Sequence, residues 1–355
     1  MWCIKYLEDE STIINTISLR RIIRLEKLGL VLLADLEGIL SLIRNEDRSD
    51  DDQILSVHPI EYAIAADDQP IANWGISAIG VLEYQALTGK GVGVAVVDSG
   101  VDGNHPWLKE SLIPTRISVG EDCELNVQDG LPTDKNFHGT HVASIIGGKR
   151  PELSMGVAPG VRILSVEVLD ANNTCTLAQL LVALNYVAGM DNIKIINLSI
   201  ELPGMNDKLQ RAIARLTETG KIVVCAAGNN GIGTITSPSS VVGVISVGAI
   251  DEVLNVWGGS ASGIANWASG ESVTFPTLCA PGIKICAANS GGGQRLLSGT
   301  SMAAPHVTGM IAMMLERQPE LGVTDIRTKL VAACCDIGLP GPDTRTGAGL
   351  ASFPP

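Results

Sequence analysis

From residue 91 onward, short runs of consecutive apolar residues alternate with segments in which apolar residues recur every three or four positions. The runs at 92–97, 163–168, 193–199, 222–226 and 244–247 are rich in Val and Ile, as expected of strands buried on both faces. Between and after them, 139–148, 177–189, 207–219 and 302–317 carry the helical spacing. This alternation predicts an α/β fold, a doubly wound parallel sheet with helices on both faces, in which ligands belong at the carboxyl ends of the strands. The first 68 residues follow a different pattern. A β-like run at 3–7 precedes apolar positions at helical spacing, Ile13, Ile14, Ile17, Ile22 and Leu25, and further β-like runs at 30–36 and 39–43. An acidic break at 46–52, an apolar stretch at 54–64 and the connector Ala65-Ala66-Asp67-Asp68-Gln69-Pro70 follow. We therefore expect two units, a small α+β domain over 1–68 and a large α/β domain over 69–355.

Composition narrows the function classes. The chain has 355 residues, 45% hydrophobic and 18% charged, which is globular rather than disordered. A formal net charge of -13 argues against a nucleic-acid partner, which needs clustered Lys and Arg. The 8 cysteines form no CxxC pair and the histidines no zinc spacing, so reduced and mostly buried thiols are expected, with no metal and no cofactor. Glu8, Asp9 and Glu10 stand where a secretory leader would be basic and then apolar, and no apolar run is long enough for a bilayer. The expectation is a cytoplasmic protein with no membrane partner.

Four local contexts carry chemistry. Asp98 ends the run 92–97 and precedes Ser99-Gly100, which brings its carboxylate out at a strand terminus. Alone, such an Asp fits a cap or a turn equally well. His138, in Phe137-His138-Gly139-Thr140-His141-Val142-Ala143, opens a helix, where it can be a base or a capping or core histidine; His141 is read as core. Ser301 lies in Gly299-Thr300-Ser301-Met302-Ala303-Ala304-Pro305, and Pro305, suited to a first turn, puts the serine at a helix start. A hydroxyl there is either a nucleophile beside free backbone N–H groups or an N-cap. Asn229 follows the run 222–226 and can donate to an oxyanion or simply make an Asn-Gly turn.

In the order Asp98, His138, Asn229, Ser301, with these contexts and Gly156-Val157-Ala158-Pro159, residues from about 73 to 349 resemble the subtilase family of subtilisin-like serine proteases. The resemblance implies an endopeptidase acting on peptide or protein substrates through an acyl-enzyme. In it Ser301 attacks, His138 moves the proton, Asp98 orients the imidazole, and Asn229 with the Ser301 N–H holds the oxyanion. It further implies that Ser199, Ile200 and Glu201 line an extended substrate and that Ala227 and Gly228 floor the pocket before the scissile bond. Glu201 and Leu202 replace glycines usual in relatives, so the cleft should be narrower and more negative. Trp107 stands where many relatives have a calcium-binding Asp, so no calcium site is expected. Residues 1–68 resemble the family's inhibitory propeptides, which implies an intramolecular inhibitor whose 60–65 tail enters the cleft and a cut between Ala65 and Gln69. The alternative is a peptide-binding protein on the same scaffold that does not turn over.

Overall fold

In the computed structural model, residues 72–150 and 156–355 are described in full, together with the backbone of five N-terminal strands at 2–6, 21–25, 30–34, 54–56 and 60–62. The central sheet has eight strands: β1 (Gly93–Asp98), β2 (Thr115–Val119), β3 (Leu125–Asp129), β4 (Arg162–Glu167), β5 (Ile195–Leu198), β6 (Ile222–Ala226), β7 (Ile245–Ile250) and β8 (Leu278–Pro281). Their order is β8-β7-β6-β5-β1-β4-β2-β3. Every neighbouring pair is parallel except β2 and the edge strand β3. Parallel strands end at a common edge, so Asp98, Ser199 just past β5, and Gly228-Asn229 just past β6 are brought together there.

Side chains alternate across a strand, and the two cores follow that alternation. Val94, Val96, Ile195 and Val224 face one layer, made by α2 (His138–Gly147) and α5 (Thr300–Arg317). Ala95, Val97, Ile196, Val223 and Cys225 face the other, made by α3 (Leu177–Ala188) and α4 (Asp207–Glu218). A short α1 (Trp74–Ala78) precedes the sheet and α6 (Val323–Ala333) follows α5. Helix starts obey local chemistry: Thr176 and Gln179 form a reciprocal capping box on α3, and the Asn206 side chain accepts the Leu209 N–H on α4.

Several expectations are corrected. The helical spacing through Ile22 and Leu25 does not produce a helix there, because Arg21–Leu25 is a strand that pairs with Leu30–Ala34, as its adjacent β-branched residues Ile22 and Ile23 favour. The rest of 13–20, the run 39–43 and the connector 65–69 lie outside the described residues. Helix α5 starts at Thr300, so Pro305 is interior rather than in the first turn. The carbonyl that Pro305 cannot serve, that of Ser301, accepts the Ser199 hydroxyl at 3.1 Å instead.

Candidate active site

Asp98 closes β1 fully buried. One carboxylate oxygen accepts the Ser99 N–H at 2.7 Å, and the two oxygens lie 2.8 and 3.0 Å from His138 Nδ1. A carboxylate so placed fixes the proton on Nδ1 and leaves Nε2 with its lone pair. His138 Nε2 is buried and has no hydrogen-bond partner among the described residues. The loop between these residues is tightly built. Gly139 passes so close to the Gly100 carbonyl that a Cβ would lie 2.0 Å from its oxygen. The Gly139 N–H donates to Ser99 Oγ at 3.0 Å, and the Ser99 hydroxyl donates to Asp134 at 2.8 Å.

Asp134 takes over the cap that Phe137, the residue before α2, cannot supply. Its other oxygen accepts the Thr140 N–H at 3.0 Å and also the Thr140 hydroxyl. Burial pushes the Asp134 carboxyl above its ordinary value, opposed by these donors and aided by the nearby Asp98 charge. The Arg295 guanidinium stacks 3.8 Å from the centre of the Phe137 ring, which packs the approach to His138.

Ser301 is the second residue of α5, which packs beside α2 on the same face of the sheet. Each helix therefore presents one of the two residues at its N-terminal end. The Ser301 hydroxyl donates to the Ser199 carbonyl at 3.3 Å while the Ser199 hydroxyl donates to the Ser301 carbonyl. Behind them Asn197 donates to Ser199 Oγ at 3.1 Å and accepts the Thr308 hydroxyl at 2.8 Å. This buried chain ties the end of β5 to α5. Asn197 and Thr308 escaped sequence reasoning; the available signal was a polar residue in the apolar run Ile195-Ile196-Asn197-Leu198.

Asn229 is oriented by Thr300, whose backbone N–H and hydroxyl both donate to Asn229 Oδ1, at 3.0 and 2.8 Å. A backbone N–H can only donate, so the bound atom is the oxygen and the amide nitrogen is turned the other way. The same Thr300 hydroxyl accepts the Gly228 N–H at 3.1 Å, where Gly228 has φ of 109°. Glu201 reaches across to accept the Asn229 N–H at 2.7 Å. Ser199, Ile200, Glu201, Gly228, Asn229 and Ser301 line one tight cleft, with Ala226 and Thr300. Ala227 is not part of that lining; it is buried, its N–H bonded to Val247 and its carbonyl to the Thr236 hydroxyl.

The N-terminal chain crosses this region. Its strand Ile54–Ser56 pairs antiparallel with Thr174–Thr176, in the register Ile54 to Thr176 and Ser56 to Thr174, and lies alongside Leu202–Pro203. The strand Ile60–Tyr62 pairs antiparallel with Gln294–Ser298, with Ile60 opposite Ser298, three residues before Ser301. Of the tail expected in the cleft, 60–62 thus runs along Gln294–Ser298, the earlier strand 54–56 runs beside Leu202–Pro203, and 63–65 lies outside the described residues. His141 and His306 take no part in the site. His141 Nε2 lies 3.1 Å from the Arg295 carbonyl, and burial holds its value down at about 3. His306 donates from Nδ1 to the Met302 carbonyl at 2.8 Å and takes the Asn73 amide on Nε2, and burial lowers it to about 4.

Comparison with known proteins bears on what such an arrangement serves. A model of the Subtilase family matches residues 89–349. A thermophilic serine proteinase from Bacillus sp. (strain AK1) is 36% identical over 223 residues, 62% of this chain and 51% of that protein. Subtilisin Savinase from Lederbergia lenta is 31% identical over 272 residues, covering 75% of this chain and 92% of its own length. Subtilisin-like protease 1 from Arthroderma otae is 32% identical over 322 residues, 85% of this chain and 61% of that protein. The alignment thus spans about half the length of the thermophilic relative.

Proposed function

The chain belongs to the subtilase family of subtilisin-like serine peptidases, and from that premise we propose that it is an endopeptidase made as a self-inhibited precursor. The observation that carries the reading is the buried Asp98–His138 pair at 2.8 Å, with Nε2 unpartnered among the described residues, beside a helix whose second residue is Ser301. On this reading His138 Nε2 takes the Ser301 proton as the hydroxyl attacks a peptide carbonyl. Asp98 keeps the imidazole in the required tautomer and orientation. Ser301 is a positioned hydroxyl whose partner among the described residues is the Ser199 carbonyl, at 3.3 Å, so a modest rotation frees it. The oxyanion meets the Asn229 amide and the Ser301 N–H, donors already oriented before charge develops.

Ser199, Ile200, Glu201, Ala227 and Gly228 would bind the substrate, and Ala226 also lines the cleft. The reading of inhibition draws on the two pairings of the N-terminal chain, 54–56 with Thr174–Thr176 and 60–62 with Leu296–Ser298, the second of which ends three residues before Ser301. A division into an inhibitory unit over 1–68 and a catalytic unit over 69–355, joined by a cleavable connector, is part of the same proposal. A reducing, cytoplasmic setting fits the seven described cysteines, none of which is joined in a disulfide. A binder without turnover is not favoured, since the relatives bear the names of proteases. The test is hydrolysis of casein by the purified chain beside Ser301→Ala: wild type should cleave after a lag and the variant should not, and equal cleavage by both would refute the reading.

A further inference from the structure

We propose that the open pocket between α6 and the segment 342–348 binds a short peptide with both termini free, its carboxylate on Arg327 and its ammonium on Asp343. The pocket lies at the other end of the sheet from the cleft. Thr277, in its lining, immediately precedes β8, and Val244, whose carbonyl accepts Arg327 Nη1 at 2.7 Å, immediately precedes β7. It therefore sits at the amino ends of these parallel strands, the opposite edge from Asp98 and Asn229. Its volume is about 440 Å3, within the range that holds small ligands. Pro276, Val331, Pro342 and Ala348 supply apolar walls, and Thr274 and Thr344 add hydroxyls.

The two charged residues of the lining make the pocket selective. Arg327 is half-buried, and burial holds its guanidinium below its ordinary value, yet no carboxylate among the described residues pairs with it. One of its five N–H groups serves the Val244 carbonyl, which leaves the fork with donors to spare. A carboxylate matches that fork with two parallel hydrogen bonds. Asp343 is the counterpart. Burial raises its carboxyl, but the N–H groups of Thr346 and Arg345, on Oδ1 at 2.7 and 2.6 Å, bring it below its ordinary value, so it is ionised. Both bonds fall on Oδ1, and Oδ2 remains able to accept from an ammonium. Arg327 and Asp343 do not satisfy each other: the charge that acts on Asp343 is that of Arg345, and none from Asp343 acts on Arg327. A lone anion would meet Asp343 and a lone cation would meet Arg327, whereas a ligand with both charges satisfies the pair. Such peptides are what the proposed endopeptidase releases, and binding here requires no turnover.

The test is isothermal titration calorimetry on the full chain carrying Ser301→Ala, so that the probe is not consumed. The probes are trialanine, its C-terminal amide and its N-acetyl form. We expect trialanine to bind with a Kd of about 0.1–1 mM, the range open to a ligand of its size. Amidation should weaken it about tenfold, the loss of a charge-assisted pair, and acetylation by a smaller factor. Arg327→Gln should weaken trialanine about tenfold and remove the penalty of amidation. Asp343→Asn, which keeps the Oδ1 acceptor, should remove the penalty of acetylation. Val331→Glu reaches the same site without deleting a bond: Val331 is 38% exposed and one turn beyond Arg327 on α6, so the new carboxylate pairs with the guanidinium and blocks it. Tm of each variant shows that it is folded. Absence of binding at millimolar trialanine would overturn the proposal, as would an amide or acetyl form that binds as tightly as trialanine. Binding unchanged in both Arg327→Gln and Val331→Glu, the result expected of a peptide seated in the cleft beside Ser301, would overturn it too.

Discussion

Asn229 can offer an amide N–H to an oxyanion because Thr300 holds its carbonyl from two directions, hydroxyl and backbone N–H. Removing the donor and removing its anchor should therefore look different. Asn229→Ala is expected to lower kcat by about 10²- to 10³-fold with little change in KM, the size of loss associated with subtilisin's own oxyanion asparagine. Thr300→Val keeps the donor and one of its two anchors, and should cost about tenfold in kcat, the equivalent of one ordinary hydrogen bond. Steady-state kinetics on a single peptide substrate would separate the two, and a loss confined to KM in either variant would contradict the roles given them. Asp134 works in the same indirect way, through Ser99 and the N–H groups that open α2.

Helix α5 carries a proline six residues in, yet it runs through to Arg317, because the Ser301 carbonyl that Pro305 strands finds the Ser199 hydroxyl. Ser199→Ala should leave that buried carbonyl short of a donor, which costs about 1–2 kcal/mol and lowers Tm by about 2–8 °C. An unchanged Tm would show that the handshake between β5 and α5 contributes nothing. The same helix supplies an acid-sensitive element, since His306 on it and His141 on α2 are held neutral in the fold, at about 4 and about 3 against 6.5 when exposed. The unfolded chain binds protons there that the folded chain refuses, so stability is fully present above about pH 6.5 and is lost as pH falls through that value toward 4. Urea unfolding of Ser301→Ala between pH 8 and pH 5 should show a loss approaching about 1.4 kcal/mol per pH unit for each histidine at the acid end; a flat profile would contradict it. Much of this layer was legible beforehand. The Val- and Ile-rich runs located β1, β4, β5, β6 and β7 because strands buried on both faces admit little else. Strand β8, Leu278–Pro281, and the edge pair β2 and β3 were not, since Cys279-Ala280-Pro281 has no β-branched residue and β3 is exposed along its length. Likewise Asp98, His138, Asn229 and Ser301 stood out by local context. Asn197, Thr300 and Asp134 did not, because their roles depend on partners 111, 71 and 35 residues away in the chain.

Across the whole molecule, the N-terminal strands Ile54–Ser56 and Ile60–Tyr62 join Thr174–Thr176 and Leu296–Ser298 through backbone pairing, which depends on N–H groups more than on particular side chains. Leu55→Pro in the strand that pairs with Cys175 should weaken that pairing and shorten the lag before activity appears, with the final rate unchanged. A lag of unaltered length would count against inhibition by this strand. Among the described residues no three His, Cys, Asp or Glu side chains are grouped to hold a metal ion, and EDTA is expected to move Tm by no more than about 1 °C. A drop of several degrees would reveal a structural cation. The predicted effects on activity presuppose that Ser301 is a nucleophile activated by His138, and covalent capture tests that directly. The full chain, once active, is treated with a fluorophosphonate and its peptides are sequenced by tandem mass spectrometry, beside His138→Ala and Ser301→Ala. The account predicts one adduct, on Ser301, strongly reduced in His138→Ala and absent in Ser301→Ala; no adduct on the active chain, or one on another residue that survives both substitutions, would contradict it.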